Sequence, residues 1–557
     1  MPPSYRMKLS LLTISMFIPA MAMAAGDGRI PSSVEPGRTA PKMPEVPEGQ
    51  FEFSIPSLRP SPVPKDVENL KFPITSITVD GSSVFTAADF QPLISPLIGQ
   101  QKSLGDVMAI ATAIEVKYRD AGYLLTRAFV PPQRSKIGAF KIQVIEGFIK
   151  GVSVEGVDGD LKDRIMATVK PVVAERPLKS GTVERALLLV NDLPGIQATG
   201  LLKPSTDEVG AADMVITAKK RLVMGSASID NRSSRYSGPW IANTDVAINS
   251  LLGQGEQIGA GVSRSLDPYK QKGYRLHYAQ PLGDDGLISS TSISRTFGQP
   301  GYTLEALDVE TDSLSVDQRL SYPMIRSRHE NVSIEGGMAM KSAKTNMLGS
   351  NISFDEWRTA DVKWVWSQSG WFNGDTSADF DLDKGLPVAG ASRRFSANLS
   401  RANGNPDFTK LTADIKRLQV LDENWQIMVA GTTQHSFSPL LSGEQFSLGG
   451  SQFGRGFDPS ALAGDQGIAG TIEIHYDTRT GLPIAQAVEF YGFYDRGLLW
   501  NQGDSNKSAL SSTGLGVRTG LTEDVDANLE IARPLQGPTP TIKGSPGRVY
   551  FALTGRF

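Results

Sequence analysis

Apolar and polar residues alternate along most of the C-terminal part of this chain. The last nine residues show the pattern well: Val549, Phe551, Leu553, Gly555 and Phe557 fall on one face, and Tyr550, Ala552, Thr554 and Arg556 on the other. Strand side chains point to opposite faces with period two, so this spacing predicts a β-strand with an apolar row opposite a more polar one. The pattern recurs upstream. Val223, Gly225, Ala227 and Ile229 oppose Met224, Ser226, Ser228 and Asp230, while Trp240, Ala242, Val246 and Ile248 oppose Asn243, Asp245 and Asn249. Ala527, Leu529 and Ile531 oppose Asn528, Glu530 and Ala532. Apolar rows toward lipid and polar rows toward a wet lumen make a transmembrane barrel, and the stretch from Arg221 to Phe557 has room for about 16 strands at roughly 21 residues per strand and connection. A soluble β-solenoid also alternates, but it repeats at a short fixed period that this chain lacks.

The pattern changes between Pro73 and Lys220. Residues 74–79 predict a strand, and Thr86-Ala87-Ala88-Asp89 reads as a capping box that opens a helix. Leu104, Val107, Ala111, Ile114 and Tyr118 then recur at helical spacing, with Gly122 placed to close the second helix in a left-handed conformation. Strands at 123–130 and 139–149, split by Pro131-Pro132, complete a β-α-α-β-β unit. The same order returns from Gly151, with a helix over 161–169, a second marked by Val183, Leu187 and Val190 and ended by Pro194-Gly195, and closing strands over 196–202 and 212–218. This is an internal repeat of about 70 residues, visible in element order and not in identity. From Gly26 to Phe72 prolines recur without any apolar period, which predicts an extended, polyproline-leaning linker.

Composition narrows the setting. Arg6 and Lys8 precede a mostly apolar run from Leu9 to Ala20 and small residues up to Ala24, the pattern of a cleaved signal peptide. No later segment offers the ~20 consecutive apolar residues that a spanning helix needs, so a membrane span must be a closed barrel. There are 56 Lys and Arg against 59 Asp and Glu, and no cysteine. The balance argues against a nucleic-acid partner, and the missing thiols exclude disulfides and thiolate metal sites.

Several motifs together resemble one family. Gly122-Tyr123-Leu124-Leu125-Thr126-Arg127-Ala128-Phe129-Val130-Pro131-Pro132-Gln133 and Val144-Ile145-Glu146-Gly147 resemble the first polypeptide-transport-associated (POTRA) domain of the two-partner secretion transporters, the TpsB family. Asn191-Asp192-Leu193-Pro194-Gly195 is similar to a segment of that family's second POTRA domain, and Asp230-Asn231-Arg232, Ser237-Gly238 and residues 322–328 resemble barrel positions. Glu444 to Gly450 followed by Arg455-Gly456-Phe457 resembles the inward-folded loop of the superfamily, and Phe493-Tyr494-Asp495-Arg496-Gly497 its partner on the barrel wall. The resemblance implies a mixed fold, with a signal peptide over 1–24, a linker over 25–72, POTRA domains over 73–149 and 150–220 and a barrel over 221–557. It also implies a loop-to-wall attachment made by Arg455, Gly456, Phe457, Phe493, Asp495 and Gly497. A guanidinium facing a carboxylate gives a directional attachment, Gly456 would open turn angles closed to other residues, and Gly497 would leave room beside the wall. Gly454 stands where the family usually has a β-branched residue, which predicts a looser loop tip.

The implied function is an outer-membrane pore that takes an unfolded exoprotein of hemolysin or adhesin type from its POTRA domains through the lumen. Its other partners would be outer-membrane lipid and, during insertion, the barrel assembly machinery. Enzyme readings fail on the residues. His277, His329, His435 and His475 are scattered, His329-Glu330 lacks the second histidine of a zincin helix, and no Gly-x-Ser-x-Gly elbow or Walker loop occurs. No catalytic residue, metal or cofactor is therefore expected, and the histidines and carboxylates on lumen-facing rows are expected to be solvated wall residues. A barrel-protein insertase and a passive porin remain as alternatives; the first is disfavoured by the count of only two POTRA-like units, the second by having any.

Overall fold

The computed structural model describes residues 31–36, 52–54, 71–133, 138–205, 207–267, 270–479, 485, 487–538 and 547–557. The signal-peptide segment lies outside the described residues.

In the first α+β unit, Ser76–Asp80 runs parallel to Ala139–Ile145, which pairs antiparallel with Arg127–Phe129. Two helices, Ala87–Ile94 and Leu104–Asp120, pack on this sheet. Val107, Ala111, Ile114 and Tyr118, spaced to share one helical face, are buried there with Phe90, Phe140 and Ile142. Each helix opens on a capping box: the Thr86 and Ser103 N–H groups donate to the carboxylates of Asp89 and Asp106, both at 2.8 Å. Glu146 ties the unit together. It accepts from the N–H groups of Ser83 and Val84 at 2.8 and 3.1 Å, from the Tyr118 hydroxyl at 2.6 Å, and from the Ser83 hydroxyl.

The second unit contains Phe148–Glu155, helices Gly159–Thr168, Lys170–Ala174 and Ser180–Asn191, and strands Ile196–Pro204 and Ala211–Lys220. Leu161, Ile165, Leu187, Met214 and Ile216 lie in its core. Two details depart from expectation. Phe148 and Ile149 pair with Ala211 and Ala212, so they belong to the second sheet and not to the end of the first unit. Pro171 starts a further helical turn, Lys170–Ala174, because a proline in the first turn gives up no needed N–H.

Sixteen further strands form one closed antiparallel barrel, from Val223–Asp230 to Arg548–Arg556. These two close the ring in register from Ser226–Arg556 to Asp230–Ala552, and Gly225 and Phe557 exchange backbone hydrogen bonds of 2.9 and 3.0 Å beside the seam. The alternating rows sort as expected. Val246, Leu529, Ile531 and Val549 are exposed on the outside, while Asn243, Asn249, Glu530 and Tyr550 are buried inside. The barrel end that meets the α+β units is here called the near end.

The proline-rich stretch is more than a spacer. At the far mouth Val34 is buried against Leu304 and Val309, and the Ser32 hydroxyl donates to the Ser460 carbonyl at 2.6 Å. At the near side Glu52–Ser54 adds a parallel strand to Thr199–Leu201, at the edge of the second sheet. An extended segment whose backbone groups lack partners can join a sheet edge in this way, which composition alone does not reveal.

Burial raises the Glu146 carboxyl, but the hydrogen bonds from Ser83, Tyr118 and Val84 outweigh it and hold the group below the ordinary carboxylate range. A depressed folded-state value means stability that is present above the unfolded value of 4.5 and is lost as pH falls through the lower folded value. Glu146→Gln is expected to cost about 1.5–3 kcal/mol, the size of hydrogen bonds to a charged group. It should also flatten the acid limb of urea unfolding followed at 222 nm, where the helices of the two units report; equal midpoints for both proteins between pH 3 and 7 would refute the assignment.

Candidate functional site: a loop fixed to the inner wall

The strands Trp425–Ser436 and Gln466–Arg479 are neighbours in the barrel, yet about 30 residues separate them, far more than a hairpin requires. The connection folds into the lumen as a short hairpin, Phe446–Leu448 paired with Leu462–Gly464, whose tip carries Arg455. Arg455 is 3% exposed.

Its guanidinium is shared among three strands. Nε and Nη2 donate to Asp495 at 3.1 and 2.6 Å, Nη1 to Glu473 at 2.5 Å, and Nη2 also to the Thr471 hydroxyl at 2.8 Å. Glu530 adds a third carboxylate, 3.7 Å from Nη1. The guanidinium carbon sits 3.4 Å from the Phe493 ring centroid, so the flat face of the cation is covered while its edge is bonded. The backbone joins in: the N–H groups of Gly454 and Arg455 donate to Asp495 at 3.1 and 3.0 Å, and the Tyr550 hydroxyl donates to the Arg455 carbonyl at 2.6 Å.

All six motif residues meet here, though two glycines act otherwise than expected. Gly456 is not at positive φ; a side chain there would run into the backbone of Arg533 and Pro534, so its role is close approach to the wall. Gly454, expected to loosen the tip, has φ of 89°, a conformation β-branched residues avoid, and this presents its N–H to Asp495. A Cβ at Gly497 would run into Leu448 of the loop. Phe457 is fully buried with Phe446, Leu448, Leu499 and Leu510.

Other partners were missed by the sequence reading. Asp458, three residues after Arg455, accepts from Arg235 at 2.5 Å and Arg548 at 2.6 Å. Glu444, at the loop base, accepts from Lys341, Lys410 and the Trp357 indole at 2.9, 2.5 and 2.7 Å. Arg401 and Asp465 form a buried pair at the loop foot. His475 is not a solvated wall residue: it lies 3.1 Å from Glu473 and 3.2 Å from Glu489, and both carboxylates also meet Arg518. The signal for these was weak, because the partners of Asp458, Glu444 and Arg401 lie tens of residues away, and Glu473, two residues from His475, makes no motif with it.

A family model described as haemolysin secretion/activation protein ShlB/FhaC/HecB matches residues 210–519, and a ShlB-type POTRA model matches residues 72–147. The chain belongs to the ShlB/FhaC/HecB family. It is an outer-membrane transporter of two-partner secretion, so the near end of the barrel and the α+β units are periplasmic. Among relatives, the Haemophilus influenzae heme/hemopexin transporter protein HuxB is 22% identical, with 96% of each chain covered. The Escherichia coli outer membrane transporter CdiB is 24% identical over 85% of this chain and 80% of its own, and the Proteus mirabilis hemolysin transporter protein HpmB 23% over 75% and 74%. Solved structures share the fold: CdiB from Escherichia coli superposes with a TM-score of 0.71 at 20% identity, covering 90% of this chain and 93% of that one. CdiB from Acinetobacter baumannii gives 0.62 at 17% identity, over 91% and 94%.

Asp495→Ala removes the acceptor shared by Gly454, Arg455 and Ser512 and leaves buried cationic charge, a change expected to cost about 3–5 kcal/mol at this contact. The loop tip of this family member should then become open to external protease on intact cells, while Thr471→Val, which loses one neutral acceptor, should change cleavage little. Equal protection in all three proteins would show that the tip does not depend on this network.

Proposed function

We propose that this transporter takes a segment of its unfolded exoprotein as an added strand on a periplasmic sheet edge and passes the chain through the lumen, with the Arg455 attachment setting the working state of the pore. The observation that carries the first part is the pairing of Glu52–Ser54 with Thr199–Leu201, because an edge that accepts one extended segment has the backbone groups and register to accept another in its place. The second part rests on the attachment being polar. Moving a tip held by ions exchanges its partners for water, whereas the wall is held by strand pairing that the tip does not touch. The relatives' names point to hemolysin, heme/hemopexin and CdiB-type systems, and the cargo is proposed only as a large exoprotein of that general kind. No cofactor enters this reading. The barrel assembly machinery is the proposed insertion partner, through the terminal strand that ends in Phe557.

Arg455→Ala should leave heat-modifiable barrel in the outer membrane near its normal level while exoprotein in the culture supernatant falls. Asp495 loses its guanidinium partner while Glu473 and Glu530 keep Arg518 and Arg232, and one buried carboxylate left without its cation makes the effect on the loop about 3–5 kcal/mol. Normal secretion by this variant would remove the attachment from the mechanism. Normal secretion after deletion of residues 73–220 would remove capture by the α+β units.

Deleting Phe557 takes away the two seam bonds to Gly225 together with an exposed aromatic end. Barrel content should drop more than it does after any single substitution among the prolines of residues 31–64, and equal content would argue against the terminal strand as the recognition end.

A further inference from the structure

Two motifs noted in the sequence take no part in the Arg455 site, and the structure joins them to each other. Asp192, in the Asn191–Gly195 segment, accepts from Arg326 Nε at 2.8 Å and Nη2 at 2.6 Å, a two-pronged ion pair. Beside it the Arg328 N–H and Nε donate to Glu184 at 2.7 and 3.2 Å, and Arg185 Nη2 donates to the Pro323 carbonyl at 2.8 Å. Arg164 Nη1 donates to the Gly283 carbonyl at 2.9 Å, and Gln254 reaches Asp160 at 3.1 Å. The second α+β unit is thus seated on three successive periplasmic turns, 250–256, 283–286 and 327–329.

The seat is one-sided. The side-chain contacts just given go to these three turns and not to the turns 369–373, 421–424 or 521–524. On that open side a cavity of about 830 Å³ runs along the inner wall. Arg455 and Ser451 of the loop line one end, and Glu423, Arg479 and Gly520 at the periplasmic turns line the other. Residues 31–36 sit at the far mouth, against Leu304 and Val309.

Resting on the reading of exoprotein passage given above, we infer that the Asp192–Arg326 and Glu184–Arg328 pairs are a clamp that holds the unit to one side of the periplasmic mouth, so that the exoprotein enters the lumen through the cavity beneath the Arg455 loop. These are positioning residues: they act by where they keep the unit. A bidentate arginine pair fixes angle as well as distance, which a surface lysine contact would not. The pair is 14% and 30% exposed at its two side chains, so solvent screens it only in part.

The test places a photo-crosslinking amino acid at Thr554, which lines the cavity, or at Ser290, which registers with lumen-facing Arg319 under the seated unit. A stalled exoprotein should crosslink at Thr554 about tenfold more strongly than at Ser290. Asp192→Arg, which leaves the barrel untouched, should bring the two sites to within about twofold and lower secretion. Arg326→Asp should do the same, and the double exchange Asp192→Arg with Arg326→Asp should restore the preference. Equal crosslinking at both sites in the parent protein, or an unchanged preference in Asp192→Arg, overturns the inference. Absence of crosslinks at every lumen position, with secretion intact, would instead overturn the passage reading on which it rests.

Discussion

A single guanidinium held among three carboxylates is the interaction on which the inner arrangement depends. Charges of one sign so close together are tolerable only if each also has other partners, because an unpaired buried ion costs several kcal/mol. Here they do. Glu473 faces Arg455, Arg518 and His475; Glu530 faces Arg232 and the Tyr491 hydroxyl; and Asp495 collects backbone N–H groups and Ser512 in addition to Arg455. The site therefore draws on Gln466–Arg479, Ala487–Trp500, Lys507–Gly520 and Val525–Gln536, all adjacent in the barrel. Successive antiparallel pairing brings these strands side by side, so the attachment depends on their register as well as on the loop.

The same logic explains what the sequence made legible. The barrel could be read because its signal repeats: each strand carries the alternation independently, and errors in one do not propagate. The α+β units could be read because helix caps and turn glycines are local chemistry. Thr86 with Asp89, and Ser103 with Asp106, meet within one helical turn. Arg455 and Asp495 were found only because two short motifs resembled a known pairing. Glu444 and His475 gave no comparable signal, since their partners, Lys341 in one case and Glu489 in the other, are defined by closure and register rather than by spacing. The reading of Gly454 went wrong for a related reason: a glycine in place of a branched residue suggests freedom, but an N–H bonded to a buried carboxylate uses that freedom to make a contact.

Charge fixes the position of the loop, but apolar contact contributes as much to holding it. Phe446, Leu448 and Phe457 are buried against Leu499 and Leu510, and each such side chain is worth about 1.5–3 kcal/mol when removed from water. Withdrawing the whole loop would expose all of them, in addition to breaking the pairs at Glu444 and Arg455. Turning the tip alone is a smaller change. Gly449 and Gly450 both stand at positive φ between the Phe446–Leu448 strand and Arg455, a pair of adjacent residues with no side chains of their own to displace when backbone angles change. Phe446, Leu448 and Glu444 lie on the base side of that stretch, and Arg455 lies on the other. A motion that keeps the base in place and frees the tip breaks ion pairs that water can partly replace, and leaves most of the apolar contact intact. The arrangement of anchors thus favours a hinged tip over an extracted loop.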